Sequence, residues 1–229
     1  MNFFAVYTGR SPIVVEFTLY ENITDTELQK IFEGIRHTEQ RLDYIRRYYT
    51  EKKDEYEIRE FSSSDNKLNG KIEVFKNRDI KNHEIDEALF FVNKGYYVTL
   101  LAEISIQSEK HIDALINHSC LVELRHVRTN KAKNIADEIK KAANKKNSEI
   151  ISVFFIENAI TVSKKSILKE IAQKKRKGDF TGTFNELLFI RNGTIDRIKN
   201  MAGLAKADTY HTQNIPRPNT IVNQKQEGQ

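Results

Sequence analysis

Runs of apolar residues predict four β-strands in the N-terminal part of the chain. Residues 2–8 and 13–20 are rich in β-branched and aromatic residues, and the turn-forming "GRSP" between them favours a hairpin. Residues 55–61 and 71–75 have the same character and are joined by the polar stretch "SSSDNKLNG". With an intervening helix, these strands predict an α+β unit over residues 1–80.

Between these two pairs of strands, apolar residues recur about every 3.5 positions, which predicts one continuous amphipathic helix over residues 25–50. Thr24 and Glu27 have the spacing of a capping box at its start. Ile35 and Leu42 are predicted to be buried on its inner seam. The seam has two interpretations: it packs against the sheet of its own chain, or it pairs with a second copy as a coiled coil and makes a homo-oligomer.

From residue 81 to residue 160, predicted helices and strands alternate, which is typical of βαβ units with parallel sheet. In chain order the segments are helix "HEIDEALFFVN", strand "YYVTLLAEISI", helix "EKHIDALINH", strand "LVELRHV", helix "KAKNIADEIKKAAN" and strand "IISVFFI". The last of them is almost wholly apolar, as expected for a central strand that is covered on both faces.

The C-terminal part differs in composition from the rest of the chain. Residues 161–204 are predicted to be helical, with one helix ending in a basic turn and a second beginning near Phe184. Residues 205–229 are polar, which predicts a disordered tail. The expected fold is mixed α/β of the α+β kind, in which the units at 1–80 and 81–160 form either two domains or one.

Composition narrows the class of protein. Of the 229 residues, 39% are hydrophobic and 30% are charged, which is enough apolar material for a packed core. The single cysteine, Cys120, excludes an intramolecular disulfide. The start "MNFFAVYTGR" does not match a secretory signal, and no apolar run is long enough to span a bilayer. We therefore expect an intracellular, cytoplasmic protein without a membrane partner, or a nuclear one where the host has a nucleus.

Charge is distributed unevenly along the chain. Residues 128–177 contain fourteen basic and five acidic residues, a local net charge of +9, whereas the whole chain carries +5. This asymmetry favours an anionic partner, and nucleic acid, either DNA or RNA, is the commonest one. The alternative is a set of lysine-rich helix faces that only keep the protein in solution.

The densest basic segment is "KKRKGDFTGTFNE", in which four basic residues end a predicted helix before a glycine-containing loop. Thr183 and Glu186 have capping-box spacing, so the next predicted helix would present free amides to an anion near the basic turn. A basic turn that only complements the helix dipole is the alternative. The predicted nucleic-acid-binding residues are Lys164, Lys165, Lys174, Lys175, Arg176, Lys177, Thr183 and Arg191.

Histidine and cysteine cluster in one short segment that contains His111, His118, Cys120 and His126. These residue types bind zinc, but their spacing does not match that of a structural zinc site. A Cys–His nucleophile would also need an orienting group and an oxyanion hole, and neither is visible in the sequence. We therefore expect no metal site, no cofactor and an unreactive Cys120.

Metal-dependent nucleases offer a more specific pattern, with an acidic residue on one strand and a Glu-x-Lys pair on the next, so that the carboxylates hold Mg²⁺. The nearest matches are Glu57 with Arg59 and Glu73 with Lys76, and the candidate partner carboxylates are Asp54 and Asp65. The first pair has arginine in place of lysine, and the second has the wrong spacing. Arg78 and His83 have the spacing of some metal-independent ribonuclease sites, but those sites lie in helical bundles.

Three functions remain open. The first is a nucleic-acid-binding protein without catalytic activity that contacts phosphates through residues 128–191. The second is a metal-dependent nuclease or another nucleic-acid hydrolase, with acidic residues of the strands at 55–75 as metal ligands and its catalytic residues unknown. The third is a structural protein that self-assembles through the helix predicted at residues 25–50.

Overall fold

A computed structural model of the chain describes residues 2–6, 15–35, 37–103, 111–145, 149–155, 161–180 and 184–200. In these residues ten strands form one mixed sheet, and five α-helices accompany it. The predicted mixed α/β fold is therefore confirmed. Searched over the same residues, no helix combines the length and the apolar character that a bilayer crossing requires.

The strands are β1 (Asn2–Val6), β2 (Val15–Tyr20), β3 (Tyr56–Ser62), β4 (Asn69–Phe75), β5 (Val98–Leu100), β6 (Ala114–Ile116), β7 (Cys120–Val127), β8 (Ile150–Phe155), β9 (Glu186–Arg191) and β10 (Thr194–Asn200). Their order across the sheet is β1-β2-β10-β9-β8-β7-β6-β5-β4-β3. The helices are α1 (Asp25–Glu33), α2 (Glu39–Tyr48), α3 (Asn82–Val92), α4 (Ala132–Ala143) and α5 (Lys164–Arg176), and a 3₁₀ segment covers Thr50–Glu55.

Most of the predicted strand pairing is present. β1 pairs with β2, and β3 pairs with β4, both antiparallel. The predicted βαβ units are also confirmed, because β4 and β5, β7 and β8, and β8 and β9 are parallel pairs separated in sequence by α3, α4 and α5. β8 is buried along its whole length between β7 and β9, as its apolar sequence predicts.

Helices cover both faces of the sheet. Side chains alternate along β7, so that Val122 and Leu124 enter a core that also contains residues of α1 and α3. Leu121 and Val127 point to the opposite face. There α2 covers Leu121, and α4 and α5 cover Val127. Ile35 is only half-buried at the edge of the first core.

The prediction of one helix over residues 25–50 is wrong, because the first helix ends at Gly34, which is its C-cap. Thr38 then starts α2 as its N-cap, with its side chain accepting a hydrogen bond from the Arg41 amide. In the apolar repeat, Thr38 occupies a position that is expected to face the core. In the structure, the Thr38 hydroxyl instead accepts a hydrogen bond from a free amide at the start of a helix. Leu42 is 53% exposed, so its predicted burial is also wrong and the predicted self-association seam is not continuous.

A second predicted helix, "EKHIDALINH", is wrong where the structure describes it. Residues 114–116 form the short strand β6, which pairs antiparallel with β5 on one side and β7 on the other. Asn117 and His118 make the turn between β6 and β7, with φ angles of 50° and 57°. Two successive residues with positive φ are the signature of a tight hairpin turn. Residues 104–110 lie outside the described part.

The predicted helical character of residues 161–204 holds only for α5. β9 and β10 follow as an antiparallel hairpin, whose turn places Asn192 and Gly193 at positive φ. The helix predicted to begin near Phe184 is therefore a strand, because its apolar residues pack on both faces of the sheet. Thr183, its predicted cap, lies outside the described residues, as does the predicted tail at 205–229. The division into units at 1–80, 81–160 and 161–204 stays a prediction; each contributes strands to the single sheet.

Candidate active site

Four charged residues meet near the middle of the sheet, and we name them the carboxylate cluster: Asp113, Glu123, Arg125 and Lys145. Asp113 directly precedes β6, Glu123 and Arg125 lie two apart on β7, and Lys145 follows α4. The antiparallel pairing of β6 with β7 brings Asp113 beside β7. One of its oxygens accepts a hydrogen bond from the Leu124 amide at 2.9 Å, which fixes the carboxylate against the strand.

The two carboxylates share the same two cations. The Lys145 ammonium lies 2.5 Å from Oε1 of Glu123 and 3.4 Å from Oδ1 of Asp113. The Arg125 guanidinium contacts Glu123 directly and lies 3.9 Å from Oδ2 of Asp113. The Glu123 side chain is fully buried, whereas the side chains of Asp113 and Lys145 are 15% and 14% exposed. The cluster therefore combines a buried acid with partners that reach solvent.

One oxygen of Glu123 is left without a partner. Oε2 is buried and accepts no hydrogen bond. Burial raises the pKa of Glu123 to about 8, and the charge of Asp113 adds to this, while Arg125 and Lys145 act in the opposite direction. A carboxyl group with a pKa near neutrality can both accept and release a proton at physiological pH. Perturbed acids of this kind concentrate at functional sites.

A third buried carboxylate, Glu87, lies on α3, which packs on the opposite face of the sheet from the cluster. Its side chain is 2% exposed, and neither of its oxygens has a hydrogen-bond partner. Nδ1 of His126 lies 3.4 Å from its Oε1. Burial raises the pKa of Glu87 well above its usual range, and Asp113 adds to the effect. The charge of Asp113 thus raises the pKa of one buried glutamate on each face of the sheet, Glu123 and Glu87.

The donor set of the carboxylate cluster fits a hard divalent cation. Within the described ranges, no group of three or more His, Cys, Asp or Glu side chains is arranged as a metal site. Mg²⁺, however, is usually held by one or two protein carboxylates, and waters and substrate phosphates complete its shell. Asp113 and Glu123 supply two such groups, and the unpartnered Oε2 of Glu123 is an oxygen whose hydrogen-bonding capacity is unused.

The histidines and the cysteine of the predicted zinc pattern are directed to different places. Cys120 is fully buried in the core beside Val122, and burial raises the pKa of its thiol well above the usual value. His118 lies in the β6–β7 turn and contacts Tyr49. His126 is beside Glu87 on the α3 face. The structure therefore does not bring these side chains to one point.

The four consecutive basic residues at the end of α5 differ in their surroundings. Lys174 makes an ion pair with Asp137 of α4 at 2.6 Å. The Lys175 ammonium lies over the rings of three phenylalanines, and burial lowers its pKa. Arg176 and Lys177 are exposed. Two of the four residues are thus placed to meet an external anion directly.

The other predicted nucleic-acid-binding residues also differ, because some contact groups of the protein itself and others are exposed. Lys164 makes ion pairs with Glu21 at 3.0 Å and Asp196 at 2.8 Å. The Arg191 guanidinium lies 4.5 Å from the ring centre of Phe155. Lys165 is exposed. The exposed members of the predicted set, Lys165, Arg176 and Lys177, all lie on or directly after α5.

The carboxylate pairs considered from the sequence lie elsewhere on the sheet. Glu57 and Arg59 are partly exposed neighbours on β3, the edge strand, and they make an ion pair with each other. Glu73 is buried on β4, and its cation is Lys53 rather than Lys76. Glu73 belongs to a second polar cluster that is described below. Neither pair faces a second acidic residue across neighbouring strands in the way that the nuclease pattern requires.

Sequence reasoning missed the carboxylate cluster because "DALINH" was assigned to a helix. A helix at this point removes Asp113 from the edge of a strand and hides its relation to Glu123. The turn signal was Asn117, since Asn readily adopts positive φ between two short apolar runs. With the turn in place, Asp113 lies directly before one strand and Glu123 and Arg125 lie on its neighbour, so only the arginine departs from the Glu-x-Lys pattern.

Comparison with known proteins yields little. No protein family and no curated protein matches the chain. One chain of a solved structure, the CdiA-CT/CdiI toxin and immunity complex from Burkholderia pseudomallei, is 24% identical over 51% of this chain and 81% of its own length, with a TM-score of 0.37. Similarity at this level assigns neither a fold nor a function to the protein.

Proposed function

We propose that this protein is a metal-dependent nuclease whose reaction centre is the carboxylate cluster. The observation that carries the proposal is the placement of Asp113 at one strand and Glu123-x-Arg125 on the next, around a shared ammonium group. This is the pattern of metal-dependent phosphodiester hydrolysis, with arginine in the place of lysine. The basic segment 128–177 supports the choice of an anionic polymer as substrate.

Each member of the cluster has a distinct task in this proposal. Asp113 and Glu123 would hold the divalent ion, which lowers the pKa of a coordinated water and offsets charge on the phosphate. Arg125 and Lys145 pair with the carboxylates in the free protein, and both are suited to contact a phosphate once it arrives. Glu123, whose pKa is raised to about 8 in the free protein, is mostly protonated at neutral pH and would release its proton as the divalent ion binds.

The test is cleavage of labelled single-stranded and duplex DNA and RNA by the full chain, with Mg²⁺ or Mn²⁺ and with a chelator. We expect cleavage only with metal, and a loss of about 100-fold or more in Glu123→Gln and Asp113→Asn, the size seen when an electrostatic catalytic group is removed. Glu186→Gln is the matched control, because Glu186 is also a buried carboxylate but pairs with Arg197 on the opposite face of the sheet, two strands from β7. Cleavage that survives Glu123→Gln would overturn the proposal.

One observation favours a second candidate, nucleic-acid binding without cleavage. An arginine stays protonated at every working pH. Arg125 therefore holds a permanent positive charge against Glu123 and Asp113, where it competes with a metal ion. The exposed residues Arg176 and Lys177 then carry the contact with phosphates.

Salt dependence tests this candidate separately from cleavage. Replacing Arg176 and Lys177 with glutamine should reduce the slope of log affinity against log salt by about 0.7–0.9 for each lost contact. Lys174→Gln is the matched control, since Lys174 is already engaged by Asp137. Metal-independent binding with the expected slope change, and no cleavage under any metal condition, would select this candidate over the nuclease.

A further inference from the structure

The second polar cluster, on the same face of the sheet as the carboxylate cluster, is organised around Glu73. Thr99 of β5 donates to Oε2 of Glu73 at 2.7 Å, and the Tyr49 hydroxyl donates to the same oxygen at 2.9 Å. The Lys53 ammonium lies 2.6 Å from Oε1. We call these four residues the Glu73 cluster. Burial alone would raise the pKa of Glu73, but the bonds from Lys53, Thr99 and Tyr49 lower it, so Glu73 is a carboxylate at neutral pH.

The Glu73 cluster fixes the orientation of His118, whose Nδ1 lies 2.7 Å from the Tyr49 oxygen. A carboxylate only accepts hydrogen bonds and an ammonium only donates them, so Tyr49 gives its proton to Glu73 and accepts from Lys53. The Tyr49 oxygen therefore accepts from Nδ1–H of His118, which leaves Nε2 as the unprotonated nitrogen. Burial and the charge of Lys53 lower the pKa of His118, which keeps this neutral form at physiological pH.

The backbone at His118 points to a role beyond the turn itself. His118 has φ of 57°, directly after Asn117 at 50°, in a position where glycine is the residue of lowest strain. A residue that holds a left-handed conformation at some energetic cost is a signal of function when its surroundings over-determine it. Here the ring is held by Tyr49, whose oxygen it bonds and whose ring stacks with it at 5.6 Å between centres, and by the ring of Tyr97.

The ring of Tyr97 completes an aromatic surface. It lies 4.2 Å from the His118 ring, centre to centre, and the residue is 36% exposed, one of three large apolar or aromatic side chains exposed in the described part of the chain. Its backbone is clamped to the turn in both directions, since the Tyr97 amide donates to the Asn117 side chain and the Asn117 amide donates to the Tyr97 carbonyl. The Lys53 side chain, half-exposed, supplies a positive charge at the edge of this surface.

We infer that Tyr97, His118 and Lys53 form a binding site for an unpaired nucleotide, with the base on the two rings and the phosphate on the ammonium group. Rigid aromatic side chains beside a cation are the features by which proteins hold unpaired bases. The neutral Nε2 of His118 can accept a hydrogen bond from a base or a ribose hydroxyl. The inference deepens the proposed function and rests on it, because it makes single-stranded or unstacked nucleic acid the preferred substrate.

The direct test uses the full chain with adenosine 5′-monophosphate and, as the phosphate-only probe, ribose 5-phosphate. We expect the first compound to shift the NMR signals of the Tyr97 and His118 rings, and the second to leave them unchanged. Absence of ring shifts at millimolar adenosine 5′-monophosphate would overturn the inference. This result does not depend on whether the carboxylate cluster cleaves anything.

Variants extend the test to polymers, with anisotropy measured on a labelled single strand and on an abasic strand of the same length. Stacking is worth about 1–3 kcal/mol per base, so Tyr97→Ala should weaken binding of the base-bearing strand by about 5- to 150-fold and leave abasic binding unchanged. His118→Gly should have a similar effect without lowering the melting temperature, because glycine relieves the positive φ. Ile58→Ala, a change at an exposed apolar residue on β3, is the control.

The possible outcomes distinguish failure of the nucleotide site from failure of the proposed nuclease function. Equal affinity of the native protein for base-bearing and abasic strands would overturn the nucleotide site and leave metal-dependent cleavage untouched. Loss of cleavage without change in ring shifts, as expected for Glu123→Gln, would separate the two sites. A protein that binds neither strand would overturn the nucleotide site, and cleavage of duplex substrate would then decide the proposed function on its own.

Discussion

Glu73 and Glu123 are two buried glutamates on the same face of one sheet, and their acidities are shifted in opposite directions. Glu73 accepts hydrogen bonds from two hydroxyl groups and an ammonium, and its pKa is lowered. Glu123 has two cations at one side, a second carboxylate nearby and one oxygen with no partner, and its pKa is raised to about 8. Both side chains are almost inaccessible to solvent.

The difference shows that burial does not by itself decide the charge of an acid. Neutral donors such as Thr99 and Tyr49 stabilise a carboxylate without bringing another charge, and both oxygens of Glu73 are occupied. The cations near Glu123 are shared with Asp113, so their effect is divided between two acids. An acid that is held in its charged form is suited to position neighbours, whereas an under-satisfied acid is suited to bind a cation or exchange a proton.

The largest expected effect is on the pH dependence of stability. Because the folded-state pKa of Glu123 lies near 8, above its ordinary value of 4.5, the folded protein binds more protons between these values. Its contribution to stability is therefore present below about pH 4.5 and is lost as the pH rises toward 8, by up to about 1.4 kcal/mol per pH unit. Urea unfolding at several pH values should show that native protein loses stability relative to Glu123→Gln over this range.

The matching variant for this comparison is Glu73→Gln. Since the pKa of Glu73 is lowered, its contribution is present above its ordinary value of 4.5 and is lost as the pH falls below it. The stability difference between native protein and this variant should therefore shrink in acid, opposite to the trend for Glu123→Gln. Parallel curves for the two variants would show that the two glutamates do not differ as the structure indicates.

The sequence predicts the strands that carry the two glutamates, but it does not predict the side chains that surround them. The strands that carry Glu73 and Glu123 were predictable, because each has apolar residues at strand spacing. The donors to Glu73 were not, since Tyr49, Lys53 and Thr99 come from separate elements that only the tertiary fold brings together. The short strand β6 was also missed, because three apolar residues carry too little periodicity to distinguish a strand from a helix.

Removing the carboxyl group of each glutamate should lower the free energy of unfolding by different amounts. Glu73→Ala leaves the buried Thr99 and Tyr49 hydroxyls without their acceptor and should destabilise the protein by about 2–3 kcal/mol. Glu123→Ala should cost less at pH 8, because Lys145 and Arg125 keep Asp113 as a partner and are 14% and 22% exposed. Urea unfolding at pH 8 measures both variants side by side. A larger loss for Glu123→Ala would contradict the view that its surroundings are under-satisfied.

The smallest expected effect is at Cys120, where burial is the main cause of the pKa shift. Its thiol lies at the start of the strand that carries Glu123, and burial raises its pKa well above the ordinary value, with Glu149 adding to this. Because the thiolate is the reactive form, we expect iodoacetamide to leave folded protein unmodified from pH 6 to pH 8, and to modify it rapidly in urea. The neighbouring His118 does not help, since its ring is held against Tyr49 on the other face of the sheet from Cys120. Rapid alkylation of folded protein at pH 6 would show that a buried acid on this strand ionises without a donor, and the explanation given for Glu123 would fail with it.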